Sequence, residues 1–297
     1  MSYLRVMILS FMILLAALFV SAAAAHGPAS VSVVGTSDAG QSPSQAAVLH
    51  SGRIVEADGP DQAGELDIYL CIGQSNMAGR GELGAEYADT LDSVWLLDAD
   101  GKMEPACNPR NKYSTIRKDI AMQGVGPAWS FAQSMAERTG RRVGLVVNAR
   151  GGSSIDSWLK GAADGYYEQA LARTRQALEY GSLKAVIWHQ GETDIAEPEA
   201  YLPKLEKLVS DLRADLGIPQ LPFIFGELAP WLKDATAGEF REMLHEAARA
   251  IPYSACVSSQ GLTPLRDEHD PHFDASSQVI LGRRYAEALL EMPGMDE

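Results

Sequence analysis

The serine at position 75 has the surroundings that a nucleophilic serine requires. It lies in the segment Gly73-Gln74-Ser75-Asn76-Met77, directly after a short apolar run. A serine between a buried strand and a helix can present its hydroxyl group at the edge of a sheet, with its backbone N–H exposed beside it. Serine at such a turn also caps helices, so this segment by itself leaves both roles open.

Two further segments of polar residues and glycine also follow apolar runs. In Arg150-Gly151-Gly152-Ser153-Ser154, a backbone N–H could face a developing oxyanion, or the glycines could simply permit a tight turn. The segment Trp188-His189-Gln190-Gly191-Glu192-Thr193-Asp194 places many polar residues at a strand end. Polar side chains that are buried there need hydrogen-bond partners, and those that are not can serve a functional site. Gln190 could offer its side-chain amide to the oxyanion, and Glu192 could orient a histidine. His189 could line the site or cap a strand.

A histidine on a rigid loop is the best candidate for a general base. Residues 267–274 read Asp-Glu-His-Asp-Pro-His-Phe-Asp, in which Pro271 restricts the backbone and Phe273 can anchor the loop in the core. His272 would then project from this loop as a base should. His269 and His272 could instead bind a metal ion, but no second His/Cys cluster has suitable ligand spacing. We therefore expect neither a metal nor an organic cofactor.

Short apolar runs alternate with amphipathic stretches, which predicts an α/β fold. The predicted strands are residues 68–72, 94–97, 143–148, 185–189, 223–226 and 255–257, and the predicted helices are 127–138, 166–180, 199–216, 238–251 and 276–292. The first three helices should stop at Gly140, Gly181 and Gly217. Strands that are apolar throughout are buried on both faces, which indicates a three-layer α/β/α sandwich around a mostly parallel sheet. Ligands bind at the carboxyl ends of such strands, where the polar segments lie.

The first residues have the pattern of a signal peptide. A basic residue at position 5 precedes an apolar core of about 15 residues, shorter than the ~20 that span a membrane, and Ala23 and Ala25 form an A-x-A cleavage pattern. We predict a signal peptide at 1–25, a flexible arm at 26–64 and one folded domain at 65–297. The mature protein is expected to be secreted or periplasmic and free of the membrane.

The charge and the cysteines narrow the classes of partner and crosslink. A formal charge of −14 argues against nucleic acid as a partner and says little about a neutral sugar ester. The three cysteines are Cys71, Cys107 and Cys256, so at least one stays unpaired. Cys71 lies in an apolar run, which favours a buried thiol, and a disulfide between Cys107 and Cys256 is possible.

Taken together and in this order, the four polar segments resemble those of the SGNH hydrolase superfamily, most closely its sialate O-acetylesterase/acetylxylan esterase branch, carbohydrate esterase family 6. The resemblance runs from about residue 67 to 291 and ends with His272-Phe273 and Gly282-Arg283-Arg284-Tyr285-Ala286. It implies a flavodoxin-like fold, Ser75 as the nucleophile and His272 as the general base. It also implies an oxyanion hole formed by the N–H groups of Ser75 and Gly152 and the amide of Gln190. The third donor of the oxyanion hole is an asparagine in the wider superfamily, and a glutamine at this position is typical of this branch.

One position departs from the superfamily pattern. The acid that orients the histidine usually lies three residues before it, but here that position is His269. Asp270, two residues before His272, is the first candidate for the acid. Glu192 could supply the carboxylate from across the site, and Asp267 is a third possibility.

The resemblance implies an esterase that removes O-acetyl groups from carbohydrates of the acetylxylan or sialate type, and the signal-peptide pattern adds that it is secreted. Gln74, Asn76, His189 and Trp158 are the candidates for substrate contacts, with Trp231 as a second wall on which a sugar could stack. The alternatives are a lipase or thioesterase of the same superfamily, or a carbohydrate-binding relative that has lost catalysis. The sequence leaves the oligomeric state open.

Overall fold

The structure, a computed structural model, describes residues 66–293 of the 297-residue chain. The predicted signal peptide and the whole of the predicted arm lie outside the described residues and stay predictions. The strands are β1 (Leu66–Gly73), β2 (Val94–Leu97), β3 (Met103–Pro105), β4 (Val143–Ala149), β5 (Gly181–His189), β6 (Phe223–Gly226) and β7 (Ser254–Val257). The helices are α1 (Ser75–Ala78), α2 (Ala128–Thr139), α3 (Tyr166–Ala177), α4 (Pro198–Leu216), α5 (Ala237–Ala250) and α6 (Ala275–Leu290).

The seven strands form one sheet in the order β3-β2-β4-β1-β5-β6-β7. Every neighbouring pair is parallel except β2 and β3, which confirms the predicted fold class. The strand β3 was not predicted, because three residues are too few to show a period. It ends at Pro105 on an outer edge of the sheet, where the missing N–H of proline costs no hydrogen bond within the sheet.

Side chains of the central strand alternate between two hydrophobic layers. Ile68, Leu70 and Ile72 point into the layer formed with α3, α4 and α5. Tyr69 and Cys71 point into the opposite layer, formed with α2 and α6. Successive side chains of a strand leave opposite faces, so an uninterrupted apolar run is what a strand covered on both faces requires.

Two of the three predicted helix stops are confirmed. α2 and α4 end at Gly140 and Gly217, both in the left-handed conformation. The third was wrong, because α3 ends at Ala177 and Gly181 instead begins β5, where it pairs with Leu66 of β1. The hydrogen bonds of the sheet therefore extend β5 four residues before its predicted start.

The suggested disulfide is not formed, and all three cysteines are free. Cys256 lies in β7 at one edge of the sheet, whereas Cys107 follows β3 at the other edge. Bridged cysteines need Cα atoms within about 7 Å, and adjacent strands alone are about 4.8 Å apart, so seven strands hold the pair out of reach. The thiol of Cys71 is fully buried, as predicted, and burial raises its pKa.

None of the helices between residues 66 and 293 has the length and apolar character needed to cross a membrane.

The close packing of α2 against α6 leaves no room for a side chain at Gly282. A Cβ at this position would lie 2.1 Å from Oγ of Ser130 and 2.2 Å from the carbonyl oxygen of Pro127. We expect Gly282→Ala to lower the free energy of unfolding by about 1–3 kcal/mol, because the helices must move apart. Gly238→Ala in α5, where nothing lies within 4 Å of the new Cβ, is the matched control. Equal urea midpoints for the two variants would contradict the packing argument.

Candidate active site

Four segments meet at one edge of the sheet. Ser75 follows β1, Gly152 follows β4 and Gln190 follows β5. Because β1 lies between β4 and β5, the three strand ends are neighbours. The loop that precedes α6 adds His272 to the same place.

Ser75, His272 and Asp270 form a continuous chain of hydrogen bonds. Nε2 of His272 lies 3.0 Å from Oγ of Ser75, and Nδ1 lies 2.6 Å from Oδ1 of Asp270. An ionised carboxylate only accepts hydrogen bonds, so Nδ1 carries the proton and Nε2 is left as the acceptor for the serine hydroxyl. This is the arrangement of a nucleophile, a base and a group that orients the base.

The structure brings one of the three candidate acids to the histidine. Asp270 accepts from Nδ1 of His272 and also from the backbone N–H of His272 at 3.0 Å. The carboxyl group of Glu192 instead accepts from the side chain of Asn76 at 2.6 Å. Asp267 accepts a backbone N–H of its own loop at 2.8 Å. The shortened spacing still works because Oδ1 of Asp270 reaches both the backbone and the ring of a residue only two positions later.

Asn76 joins the serine segment to the histidine loop. Its Nδ2 donates to Oε1 of Glu192 at 2.6 Å and to the carbonyl oxygen of Pro271 at 3.0 Å. Its Oδ1 accepts the backbone N–H of Phe273 at 3.2 Å and Nε2 of Gln278 at 3.3 Å. The side chain is fully buried and all its hydrogen-bonding capacity is used, which corrects the prediction that it contacts substrate.

The histidine loop is also held from its other side. The indole Nε1 of Trp231 donates to the carbonyl oxygen of Asp270 at 2.8 Å. The Trp231 ring packs edge-on against Phe273, with 5.4 Å between ring centroids, and Phe273 itself is fully buried. Trp231 thus helps to hold the loop that carries His272 in place.

The backbone N–H groups of Ser75 and Gly152 are candidates for an oxyanion hole. Neither the N–H of Ser75 nor that of Gly152 donates a hydrogen bond to any residue in the described range. Gly152 is exposed and has a φ of 70°, a left-handed conformation that favours glycine. Free donors beside a nucleophile can stabilise the charge that develops on a carbonyl oxygen.

The amide of Gln190 does not supply a third donor in this structure, which corrects that prediction. Its Nε2 donates to the carbonyl oxygen of Ser153 at 2.9 Å and to Oδ2 of Asp194 at 2.5 Å. Its Oε1 accepts the hydroxyl of Tyr201 at 2.8 Å, and the side chain is fully buried. Ser153 follows Gly152 directly, so the hydrogen bond from Gln190 holds the turn of Gly151, Gly152 and Ser153, here called the oxyanion turn. The amide is directed to this turn and not to the substrate.

Three more predicted substrate contacts are buried. His189 is fully buried, and its Nδ1 lies 2.9 Å from the hydroxyl of Tyr285. Burial lowers the pKa of His189 to about 3, so the ring is neutral. Trp158 is fully buried against Trp188, and Gln74 is 3% exposed. Side chains with no free surface cannot stack on a sugar, so these residues form the floor of the site.

Two cations at the site were missed by sequence reasoning. A Cβ built on Gly151 would lie 2.5 Å from Nη2 of Arg80 and 3.6 Å from Cβ of Ser75. A Cβ built on Gly152 would lie 3.3 Å from Nζ of Lys118. Neither cation forms an ion pair with a carboxylate of residues 66–293. Arg80 stands five residues after the serine and could have been suspected, whereas nothing in the sequence singles out Lys118.

The surroundings of His272 favour its neutral form. Burial is the main cause of its lowered pKa, which the nearby cations Arg80 and Arg266 depress further. The hydrogen bond and negative charge of Asp270 act in the opposite direction. A neutral imidazole at pH 7 can accept the serine proton. Within residues 66–293, no group of three or more His, Cys, Asp or Glu side chains is arranged to hold a metal ion.

Comparison with known proteins identifies a family. The sequence profile of "Carbohydrate esterase, sialic acid-specific acetylesterase" matches residues 65–291. A probable carbohydrate esterase of Arabidopsis thaliana is 31% identical in an alignment 248 residues long that covers 75% of this chain and 90% of the relative. An X-ray structure of an Arabidopsis thaliana protein aligns with a TM-score of 0.65 at 30% identity, over 75% of this chain and 97% of that chain. A carbohydrate acetylesterase from Xanthomonas citri shares the fold, with a TM-score of 0.53 at 20% identity, over 75% and 56% of the two chains.

The buried carboxyl group of Glu192 predicts a pH-dependent stability. Burial raises its pKa from 4.5 to about 7 in the folded protein, so the folded state holds a proton that the unfolded state loses. The free energy of unfolding should therefore fall as the pH rises from about 4.5 to about 7. Glu192→Gln cannot ionise, so its melting temperature relative to wild type should rise between pH 5 and pH 8. A difference in melting temperature between Glu192→Gln and wild type that stays constant with pH would contradict this. Glu246→Gln, at an exposed position, is the matched control.

Proposed function

Since the chain belongs to the family of sialic acid-specific acetylesterases and is a carbohydrate acetylesterase, we propose that Ser75, His272 and Asp270 carry out the deacetylation. The observation that supports this assignment is the chain of hydrogen bonds, 3.0 Å from serine to histidine and 2.6 Å from histidine to aspartate. Oγ of Ser75 attacks the acetyl carbonyl carbon, and Nε2 of His272 takes its proton. Asp270 keeps the ring in the required tautomer and stabilises the imidazolium that forms.

The negative charge on the carbonyl oxygen is held by the N–H groups of Ser75 and Gly152. Losing one such donor typically costs about 2.7–4 kcal/mol of transition-state stabilisation. When the tetrahedral intermediate collapses, His272 protonates the departing sugar oxygen and an acetyl group remains on Ser75. Water, deprotonated by His272, then attacks the acetyl carbonyl carbon. The bond to Oγ of Ser75 breaks, His272 returns the proton to Oγ, and acetate leaves. No step requires a metal or an organic cofactor.

We further propose that the preferred acetylated sugar carries a negative charge, as a sialate does and a neutral xylan chain does not. Arg80 and Lys118 support this, because two cations without carboxylate partners flank the serine and the oxyanion turn. Both lie at the site although the formal charge of the protein is −14. A carboxylate on the substrate would meet a favourable countercharge there.

Export of the enzyme remains part of the proposal. It is supported by the signal-peptide pattern of residues 1–25. An acetylated glycan outside the cytoplasm is a substrate that an exported esterase can reach.

Replacement of the serine tests the proposed chemistry directly. Ser75→Ala should lower the turnover of an acetylated sugar by about 10⁶-fold and abolish labelling by a fluorophosphonate probe. Ser210→Ala, on the exposed face of α4, is the control and should behave as wild type. Label or turnover that persists in Ser75→Ala would refute the assignment. Faster hydrolysis of long-chain than of acetyl esters would favour the lipase or thioesterase alternative.

The exposed Lys118 allows a test of the charge preference. Lys118→Gln should lower kcat/KM for an acetylated sugar acid about fivefold, which corresponds to about 1 kcal/mol near a protein surface, and should leave a neutral acetylated sugar unaffected. Added salt should reduce the same preference in the wild type. Lys207→Gln, which removes an equal charge from α4, is the control. Equal losses for both substrates, or for neither, would count against an acidic sugar while leaving the esterase chemistry intact.

A further inference from the structure

Glu192 is a buried carboxyl group without a cation. Its side chain is 7% exposed, and the nearest histidine nitrogen, Nε2 of His189, lies 3.8 Å away on a neutral ring. Asp194 places a negative charge nearby, which helps to raise the pKa of Glu192, and Oε2 of Glu192 has no hydrogen-bond partner among the described residues. The one hydrogen bond to its side chain from another described residue comes from Nδ2 of Asn76, at 2.6 Å.

Such a group is costly to bury, and an apolar side chain of similar volume would avoid the cost. What the carboxyl group provides is an acceptor at one defined point. A carboxamide has a donor end and an acceptor end of nearly equal shape, so its direction is set by its neighbours. With Oε1 of Glu192 facing it, the donor end of Asn76 must point toward Glu192 and Pro271. The acceptor end is then left for the backbone N–H of Phe273.

We propose that Glu192 is a positioning residue that acts through Asn76 to hold the loop of His272 in register with Ser75. Asn76 bonds to Pro271 and Phe273, the residues on either side of the histidine, so the direction of one amide fixes both flanks. This inference rests on the proposed role of Ser75 and His272. It assigns Glu192 a task different from that of Asp270, which contacts the imidazole itself.

The two roles predict different kinetics. Asp270 raises the pKa of His272, so Asp270→Asn should move the acidic limb of the kcat/KM profile to lower pH as well as reduce kcat. Glu192 does not contact the imidazole, so its removal should leave that limb in place. A misplacement of about 1 Å can cost up to about 10²-fold in rate. Because Asn76 and Glu192 lie beneath the site, the loss should appear in kcat and not in KM.

A double-mutant cycle provides the test. Glu192→Ala should lower kcat by about tenfold or more, and Asn76→Ala by at least as much. The double variant should be no worse than Asn76→Ala alone, because Glu192 acts through that residue. Glu192→Gln keeps an acceptor oxygen for Asn76 and should recover most of the kcat lost in Glu192→Ala. Active enzyme is counted by fluorophosphonate labelling, so that partial unfolding does not enter kcat.

Asn76→Asp extends the test if the alanine variant does not fold. An aspartate at this position turns an oxygen toward Oε1 of Glu192, and adding Glu192→Gln should recover part of the lost kcat by restoring a donor. Glu227→Gln, at a buried carboxylate bonded to His245 and Ser259, controls for the loss of any buried acid and should change stability without changing kcat.

Three results would overturn the proposal. Independent, additive losses in the double variant would show that Glu192 does not act through Asn76. No gain in kcat when Glu192→Gln is added to Asn76→Asp would show the same. A loss in Glu192→Gln as deep as in Asp270→Asn, with the same shift of the acidic limb, would make Glu192 the acid of the triad. Wild-type protein without any Ser75-dependent hydrolysis would instead refute the proposed function, which is a separate outcome.

Discussion

The carboxamide of Asn76 connects two parts of the chain that are almost 200 residues apart. On one side is the end of a central strand, held by parallel neighbours on both edges. On the other is a loop with little regular structure, which must present His272 at 3.0 Å from Ser75. Two hydrogen bonds join this buried side chain to Pro271 and Phe273 of the loop, and two more, with Glu192 and Gln278, hold the side chain itself in place. The alignment of nucleophile and base depends on this connection.

A layer of buried polar side chains beneath the site extends the same principle. Gln190 links Asp194, Tyr201 and the carbonyl oxygen of Ser153, so the turn that carries Gly152 is supported from within the protein. Both ends of the Gln190 amide are paired, and a paired buried group is held in one orientation. Rigidity matters here because preorganised donors stabilise a transition state without reorganising during the reaction.

Two positive charges lie close to the proposed nucleophile. Arg80 and Lys118 lie beside the serine and the turn of Gly151 and Gly152, and neither has a carboxylate partner among residues 66–293. Arg80 also contributes to the lowered pKa of His272, so one cation affects both the base and any charged substrate. The position of these cations connects the proposed chemistry with the proposed preference for acidic sugars.

The sequence determined the features that depend on neighbouring residues along the chain. Apolar runs and helical spacing predicted the α/β fold, the position of Ser75 after a strand and that of His272 in the loop before the last helix, because periodicity and turn chemistry are local. Tertiary structure alone decided which carboxylate meets the imidazole, that Gln190 turns inward, that Trp158 is buried and that Cys107 and Cys256 lie at opposite edges. These outcomes depend on the direction of side chains and on distances between segments far apart in sequence. A motif specifies which groups are available, but only the packed strands and loops decide which of them face one another.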